Sequence, residues 1–207
     1  MEINNKLKEY IENNIFPKYK NNDKAHDINH ILSVINRSLE LAKNYDVDLN
    51  MVYTIAAFHD LGHSIDKDNH ENISAEIFMS DAKIKSFFNS EQIKIIEEAI
   101  RDHRASLKGT PRSIYGKIVS DADRSIDVSI SIARGYHYSL KHNPHFTLNE
   151  HIENCYEHAN NKFGENGYIR FWLNDKKNIK ALKEYRKILK NKNEYIKLFK
   201  KINNIKE

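Results

Sequence analysis

The run Met51-Val52-Tyr53-Thr54-Ile55-Ala56-Ala57-Phe58 is apolar on almost every side and leads straight into His59-Asp60-Leu61-Gly62-His63. A surface helix shows one apolar stripe to a core, whereas a segment apolar all round belongs in the middle of one. Ionisable groups at the end of such a helix are costly unless something compensates them. A bound metal ion would do so. The chain is therefore constrained to wrap other elements around one central helix, with a polar cluster at that helix's end.

The surrounding pattern is helical. Residues 3–14 read as a first helix ended near Pro17. Asp27 is an N-cap for a helix running to about Tyr45, with the stripe Ile31, Val34, Ile35, Leu41, Ala42 and Tyr45, and this puts His30 in its first turn. Asp68 and Glu71 resemble a capping arrangement for a helix through Met79. Ser90 reads as the cap of a helix whose Ile93, Ile96, Ile100 and His103 share the inward face. After Gly109-Thr110-Pro111 a further helix carries Ile114, Ile118 and Asp121 on one stripe, a carboxylate at an apolar position. Thr147 and Glu150 form a capping box for a helix through about Asn160, and the stretch from Gly135 to Pro144 reads as a loop or lid. With 6 Gly and 3 Pro in 207 residues, tight turns are few and an all-β fold is excluded. The expected class is an all-α helical bundle, one domain over residues 1–170 with a basic helical extension over 171–207 packed on it.

Residues 171–207 hold twelve Lys and Arg against four Asp and Glu, a balance of +8, so the first 170 sum to −4. Ile179, Leu182, Tyr185 and Leu189 recur at helical spacing among those charges, as do Tyr195, Ile196 and Phe199, so solvated faces of two amphipathic helices account for the lysines and no nucleic-acid partner is expected. No apolar run reaches 18 residues and the N-terminus is polar, so no membrane span or signal peptide is expected. Cys155 is the one cysteine and can form no internal disulfide. A reducing, cytoplasmic compartment is the expectation.

A lone His, an adjacent His-Asp pair and a distant Asp form the chemical pattern: His30, His59, Asp60 and Asp121. Two imidazoles and two carboxylates make a mixed nitrogen and oxygen shell that suits Mn²⁺, Fe²⁺, Mg²⁺ or Zn²⁺ and leaves positions free on a six-coordinate ion. A structural zinc site would more often use cysteines.

Together His30, Ala57-Phe58-His59-Asp60-Leu61-Gly62-His63, His70-Glu71-Asn72-Ile73-Ser74-Ala75 and Ser120-Asp121-Ala122-Asp123-Arg124 resemble the HD-domain superfamily of metal-dependent phosphohydrolases, over roughly residues 26–135. The resemblance implies an all-α bundle in which His30, His59, Asp60 and Asp121 ligate a divalent metal. It also implies that His63 and His70 contact phosphate or transfer protons. Some members hold two ions bridged by the aspartate of the pair, and here His70, His103 and Asp60 would form the second position; failing that, His103 is a catalytic or core histidine. A phosphate substrate needs cationic partners, for which Arg104 and Arg124 are the first candidates and Lys67 the next. Two specialised branches are disfavoured: the acidic pair of alarmone hydrolases is missing after the motif, and Arg134-Gly135-Tyr136-His137 lacks the proline of the cyclic-dinucleotide branch.

The expected activity is hydrolysis of a phosphate ester or anhydride in a small molecule, a nucleotide first among them. Alternatives are a di-iron oxygenase using His30, His59, Asp60, His70, His103 and Asp121, and a non-catalytic module that binds a nucleotide or nucleic acid. His137, His142, His145, His151 and His158 receive no role, and the oligomeric state is not legible.

Overall fold

Residues 2–23, 26–124 and 126–205 are described by a computed structural model, and among them the chain folds into eleven α-helices with no strand. The helices fall into two compact units, Met1–Arg124 with Phe171–Leu173, and Ser125–Arg170 with Asn174–Glu207. The basic helices expected at 171–207 thus share a unit with residues 125–170.

In the first unit, α1 (Asn5–Asn14) passes through a 3-10 turn (Phe16–Asn21) into α2 (Ile28–Ala42), α3 (Leu49–Phe58), a second 3-10 turn (Leu61–Ser64), α4 (His70–Ser80), the single turn α5 (Ala82–Lys85), α6 (Ser90–Asp102) and α7 (Ile114–Asp123). Helix α3 is the centre: every residue from Met51 to Phe58 is buried, and α1, α2, α4, α6 and α7 all touch it. Its last turn stays satisfied because the Tyr19 hydroxyl donates to the Ala57 carbonyl (2.9 Å). Phe58 meets Phe78 of α4 edge to face, ring centroids 5.5 Å apart.

Caps set the helix starts. Asp27 accepts from the backbone N–H groups of Asn29 and His30 and opens α2 as its sequence predicts. Two starts differ. Asn89 rather than Ser90 caps α6, in a reciprocal box with Gln92. Helix α4 begins after Asn69 without a side-chain cap, and the Glu71 carboxylate and the Asp68 carbonyl instead take the Arg104 guanidinium. The α6–α7 connection is folded back by Arg112, whose backbone and side chain both donate to the buried Asp102 carboxylate.

The second unit holds α8 (Val128–His142), α9 (Leu148–Phe163), α10 (Lys176–Lys190) and α11 (Lys192–Ile202). Gly135 to His142, expected as loop or lid, is helical. Asp127 caps the helix, and it stops two residues before Pro144, whose ring disfavours helix in the residue preceding it. The interior Gly135 lowers helix propensity, but packing of α8 along α9 outweighs that. Thr147 and Glu150 form their capping box at the start of α9. His151 is buried there against the Ser139 hydroxyl (2.8 Å), which makes it a core residue. Tyr185, Leu189, Tyr195 and Phe199 face inward as their spacing predicts, while Ile179 stays exposed and Asn178 is buried in its stead. Among the described residues no helix is long and apolar enough to cross a membrane.

Gly62 lets α4 approach the motif turn. A Cβ at this position would stand 2.5 Å from the His70 carbonyl oxygen and 2.8 Å from Ile73 Cβ, and the Gly62 N–H donates to Ser74 Oγ. Gly62→Ala is therefore expected to cost about 1–3 kcal/mol of stability, as overpacking of a tight contact does. Chemical denaturation checks this, and an unchanged midpoint would show that α4 moves away freely.

Candidate metal centre

Five helix ends converge on one cluster. His30 comes from the first turn of α2, His59 and Asp60 from the end of α3, His70 from the start of α4, His103 from the end of α6, and Asp123 from the last turn of α7. Three of these imidazoles are oriented the same way. His59 Nδ1 lies 2.8 Å from the Ala56 carbonyl, His70 Nδ1 2.8 Å from that of Lys67, and His103 Nδ1 2.6 Å from that of Ile100. A carbonyl can only accept, so each Nδ1 carries the hydrogen and each Nε2 presents a lone pair.

The lone pairs face Asp60. Its Oδ2 is 3.3 Å from His59 Nε2 and 3.6 Å from His30 Nε2, and its Oδ1 is 3.5 Å from both His70 Nε2 and His103 Nε2. The His70 and His103 Nε2 atoms stand 3.2 Å apart. Asp123 Oδ1 lies 3.1 Å from His30 Nε2 and 3.8 Å from His59 Nε2. Where protons rather than an ion balance these groups, burial would push the Asp60 carboxyl up, but His59 and His103, when protonated, hold it well below the usual range; against its own burial, His59 is raised in turn by Asp60. Asp123 is held down in the same way by His30 and His59 against its own burial.

A cation fits this arrangement. His30 Nε2 and His59 Nε2 are buried and make no hydrogen bond among the described residues. Buried acceptors converging without donors are unfavourable until positive charge stands between them. His30, His59 and Asp60 each offer one ligand atom within 4.8 Å of one another, and so do Asp60, His70 and His103. The cluster can therefore hold a divalent metal, and its mixed nitrogen and oxygen donors suit a transition ion.

Asp121 is directed elsewhere. Its fully buried carboxylate accepts the backbone N–H groups of Trp172 (3.0 Å) and Leu173 (2.8 Å) and so fastens Phe171–Leu173 to the first unit. Positions 121 and 123 project about 200° apart on a helix, and Asp123 is the one that faces the imidazoles. The Ser120-Asp121-Ala122-Asp123 segment offers two carboxylates. Placing Asp121 on the apolar stripe described its burial correctly and its partner wrongly.

The expected cations differ in setting. Lys67 is exposed, 3.6 Å from Asp23. Arg104 is held by Glu71 and the Asp68 carbonyl. Arg124 is buried over the Trp172 ring and donates to the carbonyls of His103 (3.3 Å) and Arg104 (2.7 Å). It braces the end of α6 together with Ser120, whose hydroxyl also donates to the His103 carbonyl. Its expected substrate contact is thus replaced by a backbone-bracing one. His63 stacks on His26 with ring centroids 3.7 Å apart, and His26 Nδ1 is bonded to Asp23 (2.8 Å). Burial and the neighbouring His26 push His63 down to about 4, leaving the imidazole neutral and weakly basic at pH 7. Asp23 and His26 went unread in the sequence. Their only signal is the spacing of three residues that Asp27 and His30 repeat.

Residues 27–126 match the HD domain family. The match covers just under half of the chain. The chain is also similar to the crystal structure of a predicted HD superfamily hydrolase from an uncultured Thermotogales bacterium, at 26% identity over 72% of this chain and 83% of that one, with a TM-score of 0.52. It has no significant match among curated proteins. The HD domain covers His30, the His59-Asp60 pair and Asp123, and HD domains bind divalent metals.

The two aspartates of α7 should separate on substitution. Asp123→Ala is expected to weaken Mn²⁺ binding in titration calorimetry by about tenfold or more. Asp121→Ala leaves two backbone N–H groups without their acceptor and should cost about 2–4 kcal/mol of folding stability. Equal losses of metal affinity in both variants would make Asp121 a ligand after all.

Proposed function

We propose that the protein is a metal-dependent phosphohydrolase acting on a phosphate ester or anhydride of a small molecule, with a nucleotide as the first substrate class. The observation that supports it is the Asp60 carboxylate standing between two pairs of imidazole Nε2 atoms inside an HD domain. A solved structure similar to this chain is that of a predicted HD superfamily hydrolase.

A divalent metal supplies Lewis acidity and makes water a competent nucleophile at neutral pH. His30, His59, Asp60 and Asp123 would hold the first ion. His70 and His103, with Asp60, would hold a second, a reading supported by two Nε2 acceptors 3.2 Å apart that share no proton once both Nδ1 atoms carry theirs. His63, beside His26 and His70, is placed to contact the substrate phosphate or relay a proton. Lys67, an exposed cation 3.6 Å from Asp23, would bind the substrate phosphate, with Arg104 beside Glu71 as a further candidate.

Di-iron oxygenation is the second reading, and the same distances favour it: four imidazoles, the bridging Asp60 and Asp123 provide six ligands for two irons.

Elemental analysis of anaerobically purified protein, paired with phosphate release from nucleotides under added Mn²⁺, Mg²⁺ or Co²⁺, tests both. The expected result is one or two ions per chain, with release of phosphate or pyrophosphate that chelation abolishes and metal restores. Two irons with oxygen consumption and no hydrolysis would replace the hydrolase with the oxygenase. Protein that binds no metal under any condition would remove both readings.

A further inference from the structure

The second unit carries a groove that the histidine cluster does not use. It runs between α10 and the turn after α9 and consists of two adjoining cavities of about 370 and 570 Å³ that share Glu165, Arg186 and Lys190. Lys183, Arg186, Lys187 and Lys190 stand at i, i+3, i+4 and i+7 of α10, so the helix presents them as one ridge along the groove. Against these four cations the lining residues contain one carboxylate, Glu165, which pairs with Lys190 at 2.6 Å. Lys183 and Lys187 are exposed and have no carboxylate partner among the described residues. Arg186 is fixed in place by its Nε bond to the Phe163 carbonyl (3.0 Å).

The opposite wall is polar in a different way. Asn160, Asn161 and Asn166 line it and bring side-chain amides that both donate and accept. Tyr168 adjoins them, because its backbone N–H bonds to the Asn161 carbonyl (3.1 Å), and the residue is 45% exposed. Lysines on a helix face are ordinarily solvated and nothing more. Here one cationic ridge and a wall of amides line a single channel, and an exposed tyrosine is bonded through its backbone to one residue of that wall.

We propose that this groove binds single-stranded nucleic acid, with the α10 ridge along the phosphates, the asparagine amides on base edges and Tyr168 as a stacking platform. Cationic tracks with aromatic platforms are how strands are held without strict sequence preference. Charge complementarity selects the phosphate backbone, and the amides and tyrosine give the ridge a use that a bare charged surface lacks.

The test is fluorescence anisotropy of the full chain with a labelled 20-nucleotide strand of mixed sequence. Binding should weaken with salt, with a log–log slope of roughly −2 to −3 for three or four phosphates engaged. Lys183→Glu with Lys187→Glu should lower affinity by about tenfold or more, and the arginine replacements at both positions should restore it. Tyr168→Ala should also lower it by about tenfold, with circular dichroism unchanged. Equal affinity of the glutamate variant and the parent would overturn the proposal. So would duplex binding as tight as strand binding and indifferent to Tyr168, or binding to phosphatidylserine vesicles without binding to the strand.

Discussion

Asp60 sets a buried carboxylate, 3% exposed, among four imidazole nitrogens at 3.3 to 3.6 Å. An ionised group in that position is tolerated only with matching positive charge around it, and the first unit is arranged to keep this balance in place. Helix α3 must be apolar throughout because it carries His59 and Asp60 into the interior at its end. Gly62 must lack a side chain because α4 has to come close enough to deliver His70. Ser120 and Arg124 of the α7 segment hold the His103 carbonyl, and so fix where α6 stops.

Each side chain of the cluster lies at or beside a helix terminus, and this is why most of the cluster was legible in the sequence. Caps and apolar periodicity locate helix ends well, so Asp27 placed His30 and the run to Phe58 placed His59 and Asp60. What sequence cannot report is which way a terminus points among several partners. Asp121 and Asp123 are both acidic residues at the end of one helix, and their separation depends on Trp172 and Leu173, some fifty residues later in the chain. The α4 start shows the same limit. Glu71 has the spacing of a capping residue, but Arg104 from a distant segment claims it.

Long-range partners also explain the lost loop. Gly135 weakens α8 when the segment is judged alone, and only the neighbouring α9 makes the helix worthwhile. In the second unit periodicity identified most inward residues, yet Asn178 took the buried place beside Ile179. The groove along α10 needed two segments to meet, the ridge and the turn after α9, and no local pattern announces such a meeting.

The tethering of the imidazoles has a consequence for how this centre tolerates change. His59, His70 and His103 are each aimed by the carbonyl three positions earlier, at Ala56, Lys67 and Ile100. Such an orienting partner can also be a carboxylate side chain, which a point substitution removes. A main-chain oxygen is present whatever residue occupies the position. The aim of these three rings is therefore encoded by the path of the backbone, so a substitution at Lys67 changes what its own side chain does and still leaves His70 held in the same attitude.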